Sequence, residues 1–413
     1  MRANVNFFIL MLLLIQLMHG VFAKSYIISP IPPPKSRVLD LDIRTCDEVC
    51  LNKAYENGEI FTFVSKFSPK ITDETLRARL ANILNQYNLI VPNDFFKLGK
   101  NNPFKIALLA PKDIIGRYAN RGISTILAYL TNKNANFVFE IFDSKNEDAK
   151  NLQASYKNIQ DQGFKYVIAI LTKNGANTLL DSTALSLPTF IPTVNRGQID
   201  RSYIPENIFF GGIDYDKQLS MLRQIAQNDS VVFYNDDSSI GKDLAQISES
   251  KEFNTIHKKV ITMQYATRFS KQFEFEQNLL EGSTLLLNIP VIKTGLILSQ
   301  LDGSPKMFLS TQINYNPSLL LLIKPKNRQN FYVVNAIGRS DYKLAEGALL
   351  LGSDLKFDWV SYSIAVGLEM LYQKHSKTTK KSFSEILENS QIQYRNHIFK
   401  TTDDNFIEIG DQK

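Results

Sequence analysis

Side chains that build reactive centres are scarce in this sequence. It holds two cysteines, one tryptophan and four histidines. Three histidines lie beyond the N-terminal segment: His257, His375 and His397. They stand far apart and lack metal-ligand spacing. There is no Gly-x-Ser-x-Gly nucleophile elbow and no glycine loop that would cradle phosphate. Paired acids occur at Asp236-Asp237 and Asp403-Asp404, both in turn contexts where aspartate is favoured for local hydrogen bonds. The expectation is therefore no catalytic residue, no metal and no cofactor. Charge of one sign is not concentrated either. The net charge is +6, but lysines alternate with acids. The densest patch, Lys374, Lys377, Lys380 and Lys381, reads as a solvated helix end. Without interleaved aromatics it makes no case for nucleic acid. Past the N-terminus no membrane-spanning run is found, and the apolar run 318–323 is far too short to cross a bilayer.

The N-terminus is apolar in a different way. Arg2 and the α-amine precede a core of about 12 residues, 7–18, and Val21-Phe22-Ala23 places small residues at the −3 and −1 positions of a cleavage site. This predicts a Sec-type signal peptide over 1–23, cleaved after Ala23, with export to the periplasm and no membrane span afterwards. The core falls well short of the roughly 20 residues that span a bilayer. No cysteine follows it to take a lipid. In an oxidising compartment Cys46 and Cys50 are a disulfide candidate. Free buried thiols are the alternative, since i, i+4 spacing on one helix asks for some distortion.

The remaining chain has ordinary apolar content, 44%. Residues 24–42 form a Pro-rich linker. Residues 43–98 read as a small helical domain, with amphipathic helices over 46–57, 59–67 and 73–87, the last capped by Thr72. A polar stretch, 92–102, marks a boundary. From residue 104 the rhythm changes. Phe104-Lys-Ile-Ala-Leu-Leu-Ala110, Phe137-Val-Phe-Glu-Ile-Phe142 and Tyr166-Val-Ile-Ala-Ile-Leu171 are runs of the kind buried on both faces of a sheet. Between the first two, apolar positions 115, 119, 123, 126, 127 and 130 form one helical stripe. This is a β-α-β-α-β unit with parallel strands. Its ligand-facing loops would be 111–116, 143–148 and 172–175. Further strands are expected at 187–194, 208–212, 231–234, 259–265, 284–288, 307–309 and 332–335. Helices are expected at 176–185, 214–227, 242–251, 270–280, 290–301 and 357–374. A terminal hairpin is expected at 398–400 and 406–409. Trp359 starts the last helix and reads as a core or interlobe anchor.

The order of these parts resembles the type I periplasmic binding-protein fold of the leucine/isoleucine/valine-binding-protein superfamily. Lys105-Ile-Ala-Leu-Leu-Ala-Pro111 with Tyr118-Ala119 is similar to its first strand and loop. Val167-Ile-Ala-Ile-Leu-Thr172 and Leu187-Pro-Thr-Phe-Ile-Pro192 resemble its later strands. Val231-Val-Phe-Tyr-Asn-Asp-Asp237 with Ile240-Gly241-Lys242-Asp243 resembles a strand, turn and helix of the family. The resemblance implies an α/β domain over 104–410 with two lobes and three crossings. Lobe 1 would take 104–213 and 335–390, and lobe 2 would take 214–334 and 391–410. It implies a crevice whose ligand contacts map to Asp113, Tyr118, Thr172, Asn174, Asp214 and Tyr215. Thr172 and Asp214 read equally well as helix caps. The helical region ahead of this domain resembles the plan of penicillin-binding protein activators. That plan implies a non-enzymatic role through an envelope protein partner, in peptidoglycan synthesis, a flagellum or secretion. The alternative is a solute-binding protein of a transporter or sensor, taking a small polar ligand such as an amino acid.

Overall fold

The computed structural model describes residues 36–38, 40, 44, 46–68, 71–90, 103–133, 135–273, 276–376, 378 and 380–410. The expected signal peptide, most of the expected linker and all of the stretch 92–102 lie outside them. The described residues fall into two compact units, 36–90 and 103–410.

In the first unit three helices, Glu48–Glu56, Ile60–Lys66 and Glu74–Gln86, enclose a small core. Leu76, Leu80 and Ile83 repeat at helical spacing and meet Leu51, Phe63 and Phe67. The third helix is capped by Asp73, whose side chain accepts from the Leu76 amide at 2.8 Å, and not by Thr72. Cys46 and Cys50 are joined by a disulfide with Cα atoms 5.3 Å apart. The first helix starts at Glu48 with Asp47 as its cap, two residues later than expected. Cys46 thus lies outside the helix, and the pair is not an i, i+4 pair on one helix.

The second unit has two seven-stranded sheets, mostly parallel, each with helices packed on it. The first sheet runs, edge to edge, Ile386–Glu388, Gln391–Gln393, Ile208–Phe210, Thr189–Ile191, Tyr166–Ala169, Phe104–Ala110 and Phe137–Asp143. The second runs Phe406–Ile409, His397–Thr401, Phe331–Asn335, Met307–Ser310, Thr284–Asn288, Val231–Asp236 and Thr255–Ile261. This is the expected two-lobed α/β architecture. The chain leaves one sheet for the other after Phe210, after Asn335 and after Gln393.

The expected lobe border at 391 needs correction. Gln391–Gln393 pairs with Ile208–Phe210 and with Ile386–Glu388, so it belongs to the first sheet, and the second sheet resumes at His397. The strand expected at 259–265 lies at Thr255–Ile261 instead, because Thr262 caps a short helix, Met263–Thr267. The helix expected over 270–280 is represented by two short pieces, Phe269–Phe273 and Gln277–Leu280.

One buried apolar cluster runs through both lobes. On the first-lobe side it holds Ile106 and Leu108 under the helices Tyr118–Asn132 and Trp359–Ser376. On the second-lobe side it holds Leu285, Leu287 and Val333. Tyr315 bridges them: its ring centroid lies 5.3 Å from Phe357, 5.0 Å from Phe399 and 4.9 Å from Phe406. Trp359 packs on this cluster and on the outer core of the second lobe, as an interlobe anchor would.

Candidate functional site

In a parallel sheet the crevice forms where loops leave the strand C-terminal ends. In the first lobe the loops after Phe104–Ala110 and Phe137–Asp143 are tied together by Asp143. It accepts from the Lys145 amide at 2.7 Å and the Lys112 amide at 3.3 Å. Asp113 is exposed on the short helix Lys112–Ile115, and its amide donates to the Lys145 carbonyl at 2.8 Å.

The third loop enters the helix Lys173–Ser182, whose first-turn amides form an anion site by their orientation. A carboxylate already lies against its start, bound through the cap residue. Glu147 Oε1 accepts from the Thr172 amide at 2.7 Å, and its Oε2 accepts from the Thr172 hydroxyl. The same hydroxyl accepts from the Gly175 amide at 3.1 Å, which makes Thr172 the helix cap. A Cβ at residue 175 would lie 2.2 Å from the Glu147 carboxylate, so glycine is what leaves room for it. Asn174 is exposed, and its carbonyl accepts from Thr178. Glu147 sits in a loop the strand rhythm marks for attention, but nothing in its residue type singled it out.

Asp214 also caps a helix. Its side chain accepts from the Lys217 amide at 2.9 Å, at the start of Tyr215–Ala226. Tyr215 is buried, and burial followed by the nearby Tyr118 phenol pushes its hydroxyl well above the ordinary tyrosine value. Tyr118 is exposed at the start of the helix Tyr118–Asn132. Guanidinium groups face the Tyr118 ring, Arg121 at 5.1 Å and Arg117 at 6.0 Å. Arg121 also pairs with Asp358 at 2.7 Å. Burial still raises the Asp358 carboxyl above its usual range, against the pull of Arg121 and Ser361.

The second lobe neutralises its own acids too. Lys293 is buried and donates to Asp236, to Asp237 and, at 2.9 Å, to the Ile261 carbonyl. Burial opposes its charge, but the two carboxylates outweigh burial and leave its value raised. Asp236-Asp237 is thus an ion-paired turn. Among the described residues no group of three or more His, Cys, Asp or Glu could hold a metal, and no helix is long and apolar enough to cross a membrane.

The two mostly parallel sheets and the three crossings between them define the type I periplasmic binding-protein fold. Solved structures with that fold match the chain. One is a solute-binding protein of an ABC transporter from Rhodopseudomonas palustris BisB5, in complex with 3,4-dihydroxybenzoic acid. It has 11% identity and a TM-score of 0.55, over 75% of this chain and 97% of that one. Another is the branched-chain amino acid substrate-binding protein LivJ from Streptococcus pneumoniae, in complex with isoleucine. It has 11% identity and a TM-score of 0.51, over 75% of this chain and 100% of that one. The C-domain of LpoA from Haemophilus influenzae, a regulator of PBP1A, stands further off, with 9% identity and a TM-score of 0.48 over 74% and 99%. No protein-family model matches the sequence, and no curated protein matches it. At such identities the likeness speaks to fold alone.

Proposed function

We propose that this chain is a non-enzymatic periplasmic protein whose binding-protein-like domain serves as an interaction or regulatory component of a cell-envelope machine, with its leader removed after Ala23. The observation that carries this reading is Glu147 at the start of Lys173–Ser182. A free carboxylate ligand would have to displace a tethered one, whose effective concentration is on the order of millimolar or higher. The lobes are also joined by buried aromatic packing around Tyr315, which resists the hinge closure that solute carriers use.

A second reading, a solute-binding protein, is favoured by Tyr118. Its exposed ring is faced by the guanidinium groups of Arg121 and Arg117, a setting suited to a small polar or aromatic ligand. Native mass spectrometry of mature protein purified from its own periplasm separates the two. The scaffold reading expects a ligand-free mass and a co-purifying envelope protein. A stoichiometric small-molecule adduct, lost on denaturation, would contradict it.

A further inference from the structure

The segments that carry the chain between lobes converge on one turn of the helix Trp359–Ser376. From the first crossing, the Gly211 carbonyl accepts from Ser363 Oγ at 2.9 Å. From the third, the Tyr394 hydroxyl donates to Ser363 Oγ at 3.0 Å. From the second, Gly338 lies against Tyr362 and Glu385. A Cβ there would come within 2.6 Å of Glu385 Oε1 and 2.8 Å of the Tyr362 hydroxyl. Tyr362 donates to Glu385 Oε1. The other carboxyl oxygen, Oε2, is buried and has no hydrogen-bond partner among the described residues.

An orphaned buried oxygen on an acid calls for an explanation. No cation among the described residues pairs with Glu385. Around it stand Tyr362 from the helix, Tyr394 from the third crossing, and Glu369 further along the helix. Glu369 is held in turn by Lys133 at 3.4 Å and by the amides of Ser382 and Phe383. Arg339, next to Gly338, is exposed to water.

We propose that Glu385 is a proton-operated latch on the lobe hinge: neutral, it keeps its buried seat and holds the second crossing against the helix; charged, it leaves that seat and frees the crossing. Burial raises the Glu385 carboxyl above its usual range, followed by opposing pulls from the Tyr362 hydroxyl and the nearby amides of Glu385 and Ser384. The seated form therefore binds a proton more tightly than a carboxyl in water. Latching is complete below the ordinary glutamate value and fades as pH rises through the raised value. One proton sets the steepness, at most tenfold per pH unit.

The test is amide hydrogen exchange of the mature protein between pH 5 and pH 8, corrected for the intrinsic rate, read on peptides covering 336–341 and 392–397. Wild type should lose protection about tenfold or more across that range. Glu385→Gln, a shape-matched neutral mimic, should stay protected throughout. Tyr362→Phe removes the donor that favours the charged form, so the midpoint should move to higher pH. A flat wild-type profile, the same profile in folded Glu385→Gln, or an unmoved midpoint in folded Tyr362→Phe would overturn the proposal.

Discussion

The two crevice walls handle negative charge in different ways. In the first lobe Glu147 is half-buried, and its partners are a backbone amide and a hydroxyl at a helix start. In the second lobe Asp236 is buried and its partner is a buried ammonium, Lys293. Removing a carboxylate from a half-exposed helix terminus leaves its amide open to water, at about the cost of one cap contact. A buried ion pair cannot lose one member without leaving the other uncompensated. The first wall is therefore the alterable one, and the second is structural.

This contrast can be broken by substitution, starting where the effect is largest. Lys293→Met leaves Asp236 buried without its cation and should cost roughly 3–5 kcal/mol. Denaturant unfolding reads this directly, and a loss below about 1 kcal/mol would place the pair with the alterable wall. Glu276 lies in the same lobe and accepts from Tyr234 at 2.8 Å, Tyr265 at 2.9 Å and Lys259. Glu276→Gln should cost about 2–3 kcal/mol by leaving buried donors poorly paired. Burial works against the Glu276 charge, but Lys259 and the two phenols outweigh it and lower its value. Its contribution is thus present above the ordinary glutamate value and lost as pH falls through the lowered one. The acid limb of wild-type unfolding should flatten in Glu276→Gln. The disulfide closes only a short loop, so replacing Cys46 and Cys50 by serine should cost about 2 kcal/mol, confined to the helical unit. Faster exchange in Glu48–Glu56 without change in 103–410 would show this. Glu147→Ala should cost least, about 1 kcal/mol, the scale of one cap contact.

Much of the fold is legible because buried strands announce themselves. Phe104–Ala110 and Thr284–Asn288 are continuous apolar or β-prone runs, and both lie where the sequence places them. Thr255–Ile261 is an edge strand whose burial alternates, and the stretch 259–265 that suggests a strand runs on into a capped helix. The hairpin Ile386–Glu388 with Gln391–Gln393 gives only a weak turn signal, Asn389-Ser390. Asn389 and Ser390 both take positive φ, 48° and 64°, without a glycine to mark the turn. Of the residues expected at a crevice, Thr172 and Asp214 carry a cap signature that the structure uses. Glu147 could not be read in advance, since its role depends on two loops meeting in space and on Gly175 leaving room.

The most direct test of the account is an acetate titration of the Thr172 and Gly175 amides by nuclear magnetic resonance, in wild type and in Glu147→Ala. If Glu147 fills the helix-terminus site, wild-type amides stay still while the variant's shift and saturate in the millimolar range, on the order expected for a weak anion site. A wild-type response equal to the variant's would contradict it, leaving the first-lobe wall open to a free carboxylate ligand.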